Sequence, residues 1–230
     1  WADFLDKRGD LVFVGLIYPV VVFLAAAYAI RVSVLPLLFP LATGSILLGP
    51  AVASGFYELA RRRELGLDAR WRHFLDVARS RAALSLLTLA GILALLFLLW
   101  IVAAWTIFSV TMGSEPSGSP STFLHAVLTT PEGWEMMIAG NLVGLGFAIL
   151  TLAISVVSFP MLVDRPVEWD VAVRTSLRLA WKNPVTVAVW GLIVVGLLLL
   201  GSLPALLGLA VVLPVLGYAT WHLYTRAVVR

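Results

Sequence analysis

Residues 183–221 form a run of 39 positions with no acid and no base. Drawn out as one helix at 1.5 Å per residue, the run would measure roughly 58 Å, about twice the ~30 Å hydrocarbon core of a bilayer. It therefore has to turn back on itself, and Gly201-Ser202-Leu203-Pro204 near its middle carries the residues that turn a chain. Four more uncharged runs, 11–30, 32–57, 82–114 and 136–163, precede it, separated by short stretches that hold nearly every Lys and Arg. A soluble core does not need this pattern. Hydrophobic residues make up 61% of the chain and charged ones 13%, where soluble proteins carry about 25% charge. The expectation is an all-α membrane protein, a single helical domain over residues 1–230. Its six transmembrane helices are placed at about 11–33, 36–60, 82–111, 135–163, 184–202 and 204–226.

Charge then orients the spans. Fifteen of the 16 Lys and Arg lie in the N-terminal stretch, in 61–81, in 165–182 and in the tail from Arg226; Arg31 alone lies on the other side. By the positive-inside bias both termini face the cytoplasm, which for a bacterial chain means a multi-pass protein of the inner membrane. The net charge of +3 is thus juxtamembrane, and its natural partners are anionic headgroups rather than nucleic acid. Short outer turns at 31–36 and 201–204 arrange the helices in three antiparallel pairs. The remaining outer loop, 112–133, is longer and contains Ser114-Glu115-Pro116-Ser117-Gly118-Ser119-Pro120, with a short surface helix expected at 122–128. The chain opens on Trp1, without Met and without the basic-then-apolar layout of a signal peptide, so a longer gene product is expected.

Two inner links are amphipathic. In 68–81, Trp71, Phe74, Leu75 and Ala78 fall at i, i+3, i+4 and i+7, with Arg70, Arg72, Asp76 and Arg79 between them. In 168–182, Trp169, Ala172, Val173, Leu177, Ala180 and Trp181 form a stripe, while Asp170, Arg174, Arg178 and Lys182 step by four. Both read as cytoplasmic surface helices, with Arg70, Arg72, Arg79, Arg174, Arg178 and Lys182 reaching lipid headgroups or the acidic surface of a partner. A faint repeat links them. At an offset of 102, Arg63, Asp68, Arg72, Leu75 and Ala78 match Arg165, Asp170, Arg174, Leu177 and Ala180. At 164, Pro50, Leu59 and Arg62 fall on Pro214, Leu223 and Arg226.

Without cysteine, disulfides, thiolate metal sites, thiol nucleophiles and c-type haem attachment are excluded. His73, His125 and His222 lie in different segments and form no facing pair for haem, and no His/Asp/Glu spacing resembles a metal site. Met136-Met137 reads as a helix start rather than a copper contact. No Ser base pair and no phosphate loop appears, so neither a catalytic residue nor a cofactor is assigned. Glu58, Asp164, Arg165 and His222 sit at the inner ends of helices, where ion pairs and hydrogen bonds would fix them. Asn141, the most polar side chain deep in a span, is expected to hydrogen-bond across helices, or else to touch a solute. Gly140, Gly144 and Gly146 permit close packing. Pro50, Pro160 and Pro214 interrupt helices two, four and six, which would either enclose a cavity or pack tightly against the surface helices.

Four groups of strings carry a family resemblance: Leu48-Gly49-Pro50 with Gly55-Phe56-Tyr57-Glu58; Ser158-Phe159-Pro160-Met161-Leu162-Val163-Asp164-Arg165; Asn183-Pro184 with Trp190-Gly191; and Ala219-Thr220-Trp221-His222-Leu223-Tyr224. Over essentially the whole chain this resembles a proteobacterial family of six-span membrane proteins of unknown function, some labelled putative cytochrome c oxidase subunit I. Catalytic oxidase subunits need about twelve spans and six His ligands, which three scattered His cannot supply. The resemblance therefore implies at most an accessory or assembly partner of a respiratory or photosynthetic complex. A non-catalytic, membrane-organising role is the first expectation, and a transporter or channel for a small solute is the alternative. A lipid enzyme at the inner rim ranks third.

Overall fold

The computed structural model describes residues 35–113, 120–203 and 206–229. The first expected span, Arg31 and the loop residues 114–119 lie outside them. Among the described residues the secondary structure is helical and contains no strand. In chain order the helices are α1 (Leu35–Ser45), a 3₁₀ turn (Ile46–Leu48), α2 (Gly49–Glu64), a 3₁₀ segment (Trp71–Arg79) and α3 (Ala83–Thr111). They continue with α4 (Pro120–Thr129), α5 (Pro131–Ser155), α6 (Ser158–Asp164), α7 (Trp169–Lys182), α8 (Pro184–Ser202) and α9 (Leu209–Ala227).

Proline explains where the long helices break. A proline lacks the amide that would bond the carbonyl four residues back, and its ring crowds that carbonyl. For Pro50 the carbonyl is that of Ile46, where the 3₁₀ turn begins; for Pro160 it is that of Val156, in the two-residue gap between α5 and α6. Pro214, by contrast, lies inside an unbroken α9. Four helical stretches are long and apolar enough to cross a membrane: Phe39–Glu64, Ala83–Thr111, Pro131–Asp164 and Pro184–Ser202. α9, over the expected sixth span, is not among them. Its second half brings Tyr218, Thr220, Trp221 and Tyr224 instead of aliphatic residues, and all four are buried within the protein.

Residue contacts divide the chain into two compact units. One comprises, among the described residues, 35–48 and 92–151 without the loop. Its centre is Trp100 on α3, clustered with Leu47, Ala104, Phe97, Ile101 and Phe147. The indole Nε1 donates to the Pro40 carbonyl at 2.9 Å. Its ring lies so close to Gly44 that a Cβ there would come within 2.6 Å of it. Gly144 also meets this ring, whereas Gly140 and Gly146 face open space, so only one glycine of that trio is used for packing. At the α4–α5 corner the Thr130 hydroxyl accepts from the Gly133 amide at 3.1 Å, an N-cap for α5. Asn141 is exposed and donates to the Met137 carbonyl of its own helix at 2.7 Å, in place of the expected bond to a neighbouring helix.

The other unit holds 49–91, 152–203 and 206–229 among the described residues. α9 runs through its middle. Gly217 allows that approach: a Cβ there would lie 2.5 Å from the Phe56 Cβ. Leu59, Phe159, Leu162, Trp221 and Tyr224 are fully buried around it. Glu58, Asp164, Arg165, His222 and the basic residues of the two inner links all belong to this unit.

Candidate functional site

α2 ends in a sequence that both stops the helix and folds the chain back. Gly66 adopts a left-handed φ of +69°. Its amide bonds the Arg63 carbonyl at 3.0 Å and the Leu67 amide bonds the Arg62 carbonyl at 2.8 Å, the paired bonds of a Schellman cap. One turn earlier, Glu58, Arg61 and Arg62 stand at i, i+3 and i+4 on one face. The Glu58 carboxylate is buried, with 6% of the residue exposed. Arg61 grips it with two parallel bonds of 2.8 Å, and the Arg62 Nε adds a third at 2.9 Å. Such forked contacts are charge-assisted and directional, which is how a carboxylate tolerates loss of water.

Arg62 does not stop there. Its Nη1 donates to the Asp68 carbonyl at 3.0 Å and its Nη2 to the Asp76 carboxylate at 3.0 Å, so one guanidinium ties the returning link to the helix it has just left. The link itself differs from the amphipathic α-helix expected over 68–81, because residues Trp71–Arg79 wind as 3₁₀. With three residues per turn, i and i+3 eclipse, and the faces are redistributed. His73 comes over Asp76, with Nδ1 2.7 Å from the carboxylate, and of the expected apolar stripe Phe74 alone turns inward. Its ring meets Phe56 edge-on at 5.0 Å and covers Gly55, where a Cβ would clash at 2.5 Å. Trp71, Leu75 and Ala78, expected on the same stripe as Phe74, are exposed. Asp68 gathers Arg70 at 2.7 Å, Arg72 at 3.0 Å and His73 at 3.4 Å. The Arg70 hydrogen bond, ahead of those from His73 and Arg72, holds the Asp68 carboxyl well below the usual carboxylate range. His73, more than Arg62 and Arg79, lowers Asp76.

α9 closes the site from the other side. Trp221 Nε1 donates to Glu64 at 2.8 Å, and the Tyr224 hydroxyl donates to Asp164 at 2.8 Å. One aromatic each thus ties α9 to the last residue of α2 and the last residue of α6. Arg165 lies 3.7 Å from Asp164 and donates to the Val229 carbonyl at 3.0 Å. His222, named with these from the sequence, is exposed on α9.

The second link, α7, docks by different chemistry at the equivalent register. At the α5–α6 break the Ala153 carbonyl has lost its helical partner. The buried Ser176 hydroxyl of α7 donates to it at 2.7 Å and accepts a long, 3.5 Å bond from the Val157 amide. A side chain from one helix is thereby inserted into the broken ladder of another. Val157 and Ser176 lie 102 residues beyond Gly55 and Phe74, the offset of the sequence repeat. Ala172 and Ser176 face inward; Arg174, Leu177, Arg178, Trp181 and Lys182 face outward, Trp181 with 88% of its surface exposed. Arg174 reaches Asp170 at 3.5 Å.

Of the residues singled out from sequence, Glu58, Arg70 and Arg72 share one network, and Asp164 and Arg165 share a second. Arg79, Arg178 and Lys182 are exposed and make no ion pair among the described residues. Asp76, His73, Glu64, Trp221, Tyr224 and Ser176 complete the site and were not assigned these bonds in advance. The three-residue spacing of His73, Asp76 and Arg79 and the Gly66 stop were the signals for the first pair. Among the described residues no group of three or more His, Cys, Asp or Glu could hold a metal ion. Chemically the arrangement neutralises charge and joins helices.

No curated protein and no solved structure gives a significant match to the chain. A family model does match, over residues 37–164, more than half the chain, from α1 through the Glu58 bracket to Asp164. With four apolar helices of membrane length, the protein is an integral, multi-pass membrane protein, and it belongs to the family described as predicted integral membrane protein (DUF2189).

Proposed function

We propose that the protein is a non-catalytic accessory, assembly or membrane-organising factor of a proteobacterial inner membrane, working beside a larger respiratory or photosynthetic complex. In this reading six spans form three antiparallel pairs, both termini are cytoplasmic, and 71–79 and α7 lie on the cytoplasmic face. The observation that carries it is the mutual engagement of the charged groups. The buried Glu58 carboxylate is committed to Arg61 and Arg62, Arg62 to the link, Trp221 to Glu64 and Tyr224 to Asp164. These bonds fix helix ends, the work of a scaffold.

Exposed apolar rows supply what a scaffold presents to its surroundings. On α3 they include Leu95, Leu98 and Val102; on α5, Ile138, Leu142, Leu145 and Ile149, at helical spacing. Lipid covers such rows, and so can the helices of a partner. Purification from the native membrane in a mild detergent, with mass spectrometry of co-purifying proteins, tests the proposal. Stoichiometric recovery of a respiratory or photosynthetic complex supports it and names the partner. Recovery of the protein with lipid alone sinks it and shifts the weight to transport of a small solute, to be followed by uptake assays.

A further inference from the structure

α7 ends at Lys182, α8 starts at Pro184, and α9 carries Arg226 in its last turn. Where these three helices meet lies an open cavity of about 240 Å³ lined by Leu179, Asn183, Thr186, Val187, Leu223 and Ala227. Four of the six lining residues are apolar, and Asn183 and Thr186 add polar atoms. Lys182 and Arg226 each adjoin a lining residue in the chain; both are exposed, and neither makes an ion pair among the described residues. The groove also sits at a boundary fixed by covalent continuity, because the apolar span Pro184–Ser202 begins two residues after Lys182.

An apolar slot bordered by two cations that form no ion pair among the described residues, at the level where a span begins, is complementary to one kind of molecule. The slot favours hydrocarbon, the cations favour an acidic phosphate, and an anionic phospholipid carries both at that depth. We propose that this groove binds an anionic phospholipid. Part of one acyl chain lies along Leu179, Val187, Leu223 and Ala227, and the phosphate is bound by Lys182 and Arg226. The proposal rests on the protein's being embedded in a membrane and not on its acting as an accessory factor.

The test must separate a built site from the general attraction of a basic surface. Wild-type protein is placed in nanodiscs of equal phosphatidylglycerol and phosphatidylcholine, and retained lipid is counted by native mass spectrometry. Preferential retention of phosphatidylglycerol is expected. The K182A/R226A variant should weaken that retention roughly 30-fold, about fivefold for each cation lost beside the headgroup. R79A/R81A removes the same charge from exposed positions outside the groove and should leave retention within about threefold. A227W, a change at an exposed position, should fill the slot and reduce retention although both cations remain. Equal loss in the two charge variants, no preference in the wild type, or wild-type retention by A227W would each overturn the site.

Discussion

The two links that follow α2 and α6 occupy the same register of a repeat and dock in opposite ways. In the first, a residue without a side chain, Gly55, makes room for the Phe74 ring; in the second, the Ser176 hydroxyl fills a gap in the backbone of Ala153 and Val157. One contact is apolar and excludes water, the other replaces a missing hydrogen bond. Their charges diverge too. The first link pairs Asp68 and Asp76 with Arg62, Arg70, Arg72 and His73, while α7 leaves Arg178 and Lys182 facing outward. A shared geometry has thus been kept by unrelated chemistry, while each link leaves cations facing outward, Arg79 on the first and Arg178 and Lys182 on α7.

Removing the anchor of the first link should have the largest effect. Glu58→Gln keeps the shape but removes the countercharge of Arg61 and one of the two carboxylates that hold Arg62. A buried pair broken on one side costs 3–5 kcal/mol, and because both Arg remain partly exposed the loss should be about 2–3 kcal/mol, read as a lowered thermal midpoint in detergent. Next, Gly55→Val brings a side chain into the Phe74 ring and should cost about 2 kcal/mol through overpacking. Adding Phe74→Ser imports the residue pair of the second link into the first. Recovery of at least half the loss would show that the two dockings are interchangeable, and simple addition of two penalties would show that they are not. Ser176→Ala strands the Ala153 carbonyl and should cost about 1–2 kcal/mol, with faster amide exchange confined to the α5–α6 junction.

The smallest effect is that of pH. Asp68 and Asp76 are both held below their ordinary value of 3.8. A depressed carboxyl contributes its stabilisation above the unfolded value and loses it as pH falls through the folded one. Docking of the first link, followed by amide exchange of 71–79, should be constant from about pH 7 to 5 and weaken only below about pH 4. Because these carboxyls are solvent-accessible, the change should be smaller than that of any substitution above. A decline already at neutral pH would overturn this account of the link.

Helical class and membrane character were legible because bilayer thickness imposes run length, and no side-chain detail is needed to see it. The break between α8 and α9 was likewise written in Gly201-Ser202-Leu203-Pro204. The winding of the first link was not. A stripe of Trp71, Phe74, Leu75 and Ala78 fits a 3.6-residue period, whereas the tighter 3₁₀ path goes with contacts distant in sequence, such as Phe74 against Gly55. The partners of α9 were out of reach for another reason. Trp221 meets Glu64 across 157 positions and Tyr224 meets Asp164 across 60, and no local pattern encodes such pairings. Asn141 shows the reverse error: a polar residue in a span need not reach across, since the carbonyl one turn back is nearer and always present.

The Ser176 hydroxyl makes the continuity of one helix the property of another. Ala153 and Val157 belong to a stretch long and apolar enough to cross a membrane, yet the atom closing the gap between them arrives from another helix, α7. Whatever pulls α7 away, a lipid rearrangement or a partner, therefore opens the span at that point and frees it to bend. A force applied to α7 would in this way be felt as a loosened joint inside its neighbour.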